Sequence, residues 1–311
     1  MKKLYLALAV LTMFTIDLQA QQDPHYTQYM YNMNVINPAY AGSKESMSGG
    51  LLYRQQWVGL EGAPKTATLS LHSPVGKNVG LGLSAISDKI GPVEENNIYV
   101  DFSYTLNLGG DTRLAFGLKS GATFHKIGLS SDIGQGYVLQ PGDVAFSKNA
   151  NSTLLNIGTG AFFYTKKYYA AFSVPNMLNG KYLDVTQNNQ EYQFGSTTQH
   201  YFLTSGYVFE LSPNTKFKPS FMLKSAFKSP ISLDFSANFL LFEKFEAGGT
   251  YRLDDSFGAM LNYRVSPSIR LGYAYDHVIS ELKVASPASH EFMLLFDLNL
   301  PKKVSVSPRF F

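Results

Sequence analysis

Hydrophobic and polar residues alternate along many short stretches of this chain. Within Ile231–Phe242, apolar side chains occupy one face from Leu233 to Leu241, and small or polar side chains occupy the other from Ser232 to Asn238. A period of two residues is typical of a β-strand with one apolar face and one wet face. The alternation recurs in segments of about ten residues that end at turn residues, which is typical of a transmembrane β-barrel.

A soluble β-sandwich also alternates, so the chemistry of each face decides between the two. Large apolar and aromatic side chains crowd one face of nearly every predicted strand. The other face carries charges at mid-strand, as the wall of a wet lumen would. We therefore predict an all-β fold, a transmembrane antiparallel up-and-down β-barrel in the outer membrane. The mid-strand charges are Asp101, Lys119, Asp234, Arg252, Arg264 and Asp276.

Turn residues divide the alternating region into about fourteen predicted strands. Every second connection is short, and the others include the two longest loops, 129–153 and 178–199. Short turns in the periplasm and longer loops outside are the rule for outer-membrane barrels. An even strand count then predicts that both termini are periplasmic. The predicted strands are 48–57, 65–75, 79–90, 96–108, 112–128, 154–166, 168–177, 200–211, 216–227, 231–242, 245–254, 256–266, 268–280 and 289–300.

The chain begins with a stretch typical of an export signal. Lys2 and Lys3 precede an apolar segment, and a small-residue cleavage site ends at Ala20. The apolar segment is too short to span a bilayer as a helix. We therefore predict a signal peptide over 1–20, with a buried N-terminal helix as the alternative.

The residues between the signal peptide and the barrel do not alternate cleanly. Tyr26 and Tyr29 have helical spacing, and Asn37-Pro38 marks a turn. A barrel of this size needs either a plug or an open channel, and a short helical or irregular segment here could fill it or lie at the periplasmic rim. The predicted division is a signal peptide at 1–20, an N-terminal periplasmic or plug segment at 21–47, the barrel at 48–300 and a C-terminal tail at 301–311.

The amino-acid composition excludes several kinds of chemistry and of binding partner. The chain has no cysteine, which excludes a cysteine-linked lipid anchor, a disulfide framework and thiol catalysis. A formal net charge of +3 on 311 residues is too small to indicate a nucleic-acid partner. The 20 tyrosines suit the aromatic girdles where a barrel meets lipid headgroups, so outer-membrane lipid is a predicted neighbour.

Catalytic and metal-binding patterns do not stand out. The sequence has neither a Gly-x-Ser-x-Gly elbow nor a His-Glu-x-x-His motif, and its six histidines lack ligand spacing. We therefore predict no enzyme activity, no cofactor and no metal site. The alternative is an outer-membrane hydrolase, for which Ser205 and His277 are the residues one would nominate.

Charges on the predicted lumen face have two interpretations. They can pair across neighbouring strands, because a desolvated charge without a partner is costly. They can instead form a selectivity ring in an open channel. We favour pairing, between the basic residues Lys119, Lys224, Arg252, Arg264 and Arg270 and the acidic residues Asp101, Asp234, Asp276, Glu291 and Asp297.

Two N-terminal stretches form a signature, NPAYAG at 37–42 and LYRQQWVGLEGAP at 52–64. Further motifs follow at 79–84, 88–92, 200–204, 217–221, 272–276, 289–294 and 307–311. Together they resemble the PorP/SprF family, an outer-membrane barrel component associated with the type IX secretion system of Bacteroidetes. The signature positions proposed as structural or partner-contact residues are Asn37, Pro38, Ala39, Tyr40, Gly42, Arg54, Gln56, Trp57, Gly59, Gly62 and Pro64.

The resemblance implies a helper barrel in protein secretion. Such a barrel would receive the type B C-terminal targeting domain of a secreted, adhesin-like protein of the gliding machinery, and support its secretion or surface anchoring. The type IX translocon and periplasmic ring components are further implied partners. The alternative is a plugged outer-membrane channel for small or hydrophobic solutes. Arg54 and Trp57 are either a snorkelling arginine and a girdle tryptophan or part of a rim that contacts cargo.

Overall fold

The wall of the molecule is built from antiparallel strands. A computed structural model describes residues 25–44, 46–128, 150–178, 180–187, 190–196, 198–226, 229–280 and 288–298. The predicted signal peptide and C-terminal tail, and most of the loop 129–153, lie outside these residues. The strands are β1 (Met47–Gln55), β2 (Lys65–Pro74), β3 (Val79–Ile90), β4 (Val93–Gly109), β5 (Thr112–Ile127), β6 (Ala150–Tyr164), β7 (Tyr168–Val174), β8 (Lys181–Gln187), β9 (Gln190–Ser196), β10 (His200–Tyr207), β11 (Phe209–Ser212), β12 (Thr215–Ala226), β13 (Ser232–Leu241), β14 (Phe245–Arg252), β15 (Ser256–Ser266), β16 (Ile269–Val278) and β17 (Ala288–Leu298).

The wall closes on itself through the pairing of β1 with β17. Sequence neighbours pair around the rest of the circle, and β10 completes it by pairing with both β7 and β12. β10 and β11 are two parts of one strand interrupted at Val208, while β8 and β9 pair only with each other. Every wall strand that the structure describes is therefore paired on both sides, as hydrocarbon requires. The prediction of a closed antiparallel barrel of 14 strands is confirmed.

Polar residues are buried and apolar residues are exposed in this wall, the reverse of a soluble protein. In β13, Asp234, Ser236 and Asn238 point inward and are buried, whereas Phe235 and Phe239 point outward and are 48% and 44% exposed. The predicted alternation in this stretch is confirmed. The outward apolar face is stable in a membrane, because its side chains contact lipid hydrocarbon instead of water.

The two ends of the barrel carry different connections. The end that we call the turn end holds the short connections β2–β3, β4–β5, β6–β7, β11–β12, β13–β14 and β15–β16. The opposite end, the loop end, holds the others. The hairpin of β8 and β9 lies in a connection at the loop end where the sequence pattern predicts only a loop. Each of its strands has seven residues.

Residues 25–44, which we call the lumenal segment, lie inside the barrel. A four-residue helix, α1 (Met33–Ile36), stands between two single 3-10 turns at Tyr29–Tyr31 and Pro38–Tyr40. Among the described residues, no helix is long and apolar enough to cross a membrane. All the residues of the segment are buried except four partly buried ones, His25, Tyr31, Gly42 and Lys44.

The lumenal segment crosses the full height of the barrel. His25 lies at the loop end, close to Arg54 and Arg252, and the Nζ of Lys44 lies 3.2 Å from a carboxylate oxygen of Asp297 at the turn end. Met47 and Leu298, which begin β1 and end β17, pair at the turn end. The even strand count therefore brings the outer ends of the first and last strands together, whereas His25 lies at the opposite end because the chain has already crossed the lumen.

Candidate functional site: the filled lumen and its loop-end mouth

The first half of the NPAYAG signature packs against glycines of the wall. The Asn37 side chain accepts a hydrogen bond from the Ala39 N–H (2.9 Å) and donates one to the Ala161 carbonyl (3.1 Å). A Cβ added to Gly160 would lie 2.2 Å from Asn37 Oδ1, and one added to Gly117 would lie 2.2 Å from the Ala39 nitrogen. Only glycine at these wall positions lets the backbone of the lumenal segment approach so closely.

The second half of the signature is anchored in the same way. Tyr40 meets His72 and Phe162 edge-on, with ring centroids 5.2 Å apart in each pair. Gly42 has a φ of +70°, and a Cβ there would lie 2.5 Å from Gly80 Cα. We therefore propose that the signature residues Asn37, Pro38, Ala39, Tyr40 and Gly42 are structural and seat the segment against the wall.

Arg54 ties the start of the lumenal segment to the seam between the first and last strands. It is 2% exposed and forms ion pairs with Asp276 (2.7 Å) on β16 and Glu291 (3.1 Å) on β17. Thr27 accepts a hydrogen bond from Arg54 (2.8 Å) and donates one to Asp276 (2.6 Å). The backbone N–H groups of Thr27 and Gln28 each donate to Glu291 at 2.9 Å. The snorkelling interpretation of Arg54 is wrong, because its two carboxylate partners hold it inside the barrel.

Two of the predicted cross-strand pairs are present in direct register. Lys119 on β5 lies opposite Asp101 on β4 and pairs with it at 2.8 Å, with both side chains 0% exposed. Arg252 on β14 lies opposite Asp234 on β13 and donates to both of its carboxylate oxygens, at 2.8 and 3.1 Å. Asn34 donates to Asp101 (3.3 Å) and so joins the lumenal segment to the first pair.

A third group of charges lies toward the turn end. Lys218 on β12 pairs with Glu246 on β14 at 2.8 Å, and both side chains are 1% exposed. The Tyr31 hydroxyl of the lumenal segment also donates to Glu246. Sequence reasoning missed Glu246 and Lys218, although both lie at the inward positions of alternating strands. A buried pair adds little net stability, but removing one partner is costly because the remaining charge stays desolvated.

The loop end opens into a cavity of about 590 Å³ above the lumenal segment. Trp57, Pro64 and Ile231 contribute apolar lining, and His25 and Arg54 lie among the lining residues as well. Burial lowers the pKa of His25 well below its ordinary value, and the positive charges of Lys224, Arg252 and Arg54 lower the pKa further. His25 is therefore neutral near pH 7.

The second signature forms one wall of this mouth. The Gln56 N–H donates to the Pro64 carbonyl (3.0 Å) and closes the β1–β2 connection. Gly59 and Gly62 lie in that connection with φ values of +99° and +74°, which glycine adopts without strain. Trp57 lines the loop-end cavity, which favours the rim interpretation over the girdle one.

The residues nominated for a hydrolase are not brought together. Ser205 is on β10 and His277 is on β16, with β12, β13, β14 and β15 between them in the wall. The Ser205 hydroxyl donates to the Tyr169 carbonyl (2.8 Å), and His277 is on the exposed outer face. Among the described residues, no cluster of histidine, aspartate or glutamate is arranged to hold a metal ion.

Several solved structures are similar to this chain at low sequence identity. Omp33 of Acinetobacter baumannii is 9% identical with a TM-score of 0.46, over 81% of this chain and 97% of that chain. The CymD monoaromatic hydrocarbon channel is 13% identical with a TM-score of 0.48, over 88% and 100%. A Pseudomonas aeruginosa FadL homologue is 12% identical with a TM-score of 0.46, over 89% and 95%. At these identities and TM-scores, the likenesses carry no argument about function.

The comparison with protein families gives a specific result. No curated protein matches the sequence. The sequence model of the family described as "Type IX secretion system membrane protein PorP/SprF" matches residues 18–296, which is nearly the whole chain. All the motifs that suggested this family lie within this match, except the one at 307–311. The chain belongs to the PorP/SprF family of type IX secretion system membrane proteins and is an outer-membrane β-barrel.

Proposed function

We propose that this barrel docks the type B C-terminal targeting domain of a secreted, adhesin-like protein and supports its secretion or surface anchoring. The observation that carries the proposal, together with family membership, is that the chain's own lumenal segment fills the barrel. Hydrogen bonds join Thr27 and Gln28 of this segment to the buried ion-pair group of Arg54, Asp276 and Glu291 at the loop end, and wall glycines allow it to pack closely further down. A barrel filled in this way offers a surface to a partner, whereas a channel must keep a path open.

The loop end is the proposed docking face. Outer-membrane barrels place short turns in the periplasm, so the loop end would face the cell exterior. The cavity there combines apolar lining at Pro64 and Ile231 with polar lining at Asp88 and Arg252. This combination suits a folded protein domain, since interface cores are apolar and their rims are polar. The turn end would then face the periplasm, where the ring components of the secretion system could reach it.

A binding experiment tests the docking face. The purified full-length barrel in detergent is immobilised, and the C-terminal domain of a large secreted protein encoded beside this chain is passed over it. We compare Ile231→Ser at the loop end with Val75→Ser at the turn end, because both side chains are more than half exposed (61% and 55%). We expect binding to wild type and to Val75→Ser, and binding at least about tenfold weaker to Ile231→Ser, the loss expected for truncating an interface anchor.

Two results would contradict the proposal. The first is the absence of binding to wild type together with normal surface display of the cognate adhesin in cells that lack the barrel. The second is a large, solute-selective current through the intact barrel in planar bilayers, which the alternative of a channel for small or hydrophobic solutes requires.

A further inference from the structure

Among the residues that the structure describes, positive charges outnumber negative charges where the lumen approaches the turn end. Five described cations and three described carboxylates lie there, on the lumenal segment, on the strands β12 and β14 to β17, and in the β13–β14 turn. We call the five cations the turn-end basic cluster. They are Lys44, Lys216, Lys218, Arg264 and Arg270, and the carboxylates are Glu243, Glu246 and Asp297.

Arg264 has an unfavourable neighbour in this cluster. Its partner in register on β16 is Arg270, so two arginines lie directly opposite each other on adjacent antiparallel strands. Like charges in this position destabilise a sheet. Among the residues that the structure describes, the Arg264 side chain forms no hydrogen bond and no ion pair within 4 Å, and the nearby carboxylates act on it only at longer range.

Closer cations already occupy the three carboxylates. Both oxygens of Glu246 accept hydrogen bonds from Lys218, at 2.8 and 2.9 Å. Asp297 pairs with Lys44 (3.2 Å) and accepts a hydrogen bond from Ser48 (2.5 Å).

The third carboxylate is engaged in the same way, since Glu243 pairs with Lys216 at 2.5 Å. Arg270 reaches Glu246 only at 3.6 Å, with its guanidinium over the Tyr31 ring at 5.3 Å. Among the described residues, the two opposed guanidinium groups therefore share a single ion pair, the one of 3.6 Å between Arg270 and Glu246.

We propose that the turn-end basic cluster binds a phosphate group, with Arg264 and Arg270 as the primary ligands. Guanidinium groups bind phosphate oxygens through paired hydrogen bonds, and two opposed arginines can share one phosphate between them. Lys44 and Lys218 lie on other elements of the same cluster and add positive potential from other directions. An inorganic phosphate or soluble phosphate ester and a phospholipid headgroup share this chemistry, and each would enter from the turn end.

The test measures thermal unfolding of the full-length barrel in neutral detergent. Inorganic phosphate is compared with chloride at equal ionic strength, and micelles doped with short-chain phosphatidylglycerol are compared with undoped micelles. A saturating anion should raise Tm by about 2–4 °C. A rise with phosphate alone supports a soluble ligand, and a rise with phosphatidylglycerol alone supports a headgroup. The absence of a rise with both probes overturns the proposal.

Arg264→Gln separates a site from a general salt effect. Because it removes one of two opposed charges, it should raise Tm in chloride and abolish the anion-dependent shift. The control is Lys166→Gln, which changes an exposed cation at the same end, paired with Asp111 at 2.9 Å, and should keep the shift. An anion shift that Arg264→Gln retains, or a lower Tm of this variant in chloride, would overturn the proposal. Isothermal titration calorimetry of the wild-type barrel with each probe does not depend on whether the variants fold. The absence of saturable binding heat with both probes also overturns the proposal.

Discussion

Replacing Arg54 by methionine should destabilise the barrel strongly. Arg54 is 2% exposed, and Asp276 and Glu291, its partners, are 3% and 0% exposed. Methionine fills a similar volume but leaves both carboxylates inside the lumen without their main positive charge. Thr27 also loses the hydrogen bond that it accepts from Arg54, so the start of the lumenal segment loses its attachment to β1.

The magnitude follows from burial. Removing one partner of a buried ion pair costs about 3–5 kcal/mol, because the remaining charge stays desolvated. An exposed ion pair contributes at most about 1 kcal/mol. Lys166→Met is the matched control, since Lys166 and Asp111 form a pair at 2.9 Å with side chains 56% and 46% exposed. We expect the free energy of unfolding to fall by about 3–5 kcal/mol for Arg54→Met and by less than about 1 kcal/mol for the control.

Urea unfolding in detergent micelles measures the difference in unfolding free energy between each variant and the wild type. The chain has a single tryptophan, Trp57, which lines the loop-end cavity beside Arg54, so its fluorescence reports on this region. Adding Asp276→Asn and Glu291→Gln to Arg54→Met removes the stranded charges and should restore part of the lost stability. The reasoning is refuted if Arg54→Met costs no more than Lys166→Met, or if the triple variant is less stable than the single one.

Three further predictions concern other parts of the molecule. Gly117→Ala should lower the free energy of unfolding by about 1–3 kcal/mol in the same assay, because the new Cβ would clash with the lumenal segment. Gly249→Ala is the control and should change this free energy little, because the nearest atom to its Cβ would be 3.6 Å away. The pKa of His25 is lowered in the folded protein, so the unfolded chain binds the extra proton and the free energy of unfolding should fall as pH drops below about 6.5. His25→Gln should flatten this pH dependence between about pH 5 and 7. An unchanged slope of unfolding free energy against pH would contradict the assignment. The chain lacks cysteine, so an impermeant maleimide should label Ile231→Cys but not Lys77→Cys in intact cells, and the reverse pattern would invert the proposed orientation.

The alternation of side chains was sufficient to predict the wall but not the face of every residue. In β13, the inward face is polar from Ser232 to Asn238 and departs from the pattern only at Leu240, so the strand and its orientation follow from the sequence. In β1, Leu51, Leu52 and Tyr53 are consecutive apolar residues, so the pattern does not say which face is inward. Arg54 was therefore interpreted from its position at the end of the strand, whereas the structure places it inward, in register with Glu291.

The position of the lumenal segment depends on contacts that the sequence does not display. The Ser173 hydroxyl donates to the Ile36 carbonyl from 137 residues away, and the Thr27 N–H donates to Glu291 from 264 residues away. Gly117 and Gly160 are also ordinary small inward residues when read along their strands. Their role as contact sites appears only when the closed wall brings them against the NPAYAG signature. The sequence could therefore suggest a plug, but it could not give the path of that plug through the lumen.

The course of the lumenal segment has a consequence for how the molecule is assembled. The segment precedes β1 in the chain, yet its contacts include β4, β5 and β6 on one side and β16 and β17 on the other. After β17 has paired with β1, His25 could reach the loop end only if the segment passed through the closed barrel. We therefore expect the sheet to close around the segment. Because Arg54 contacts the segment and both sides of the seam, we expect it to couple closure of the barrel to enclosure of the segment.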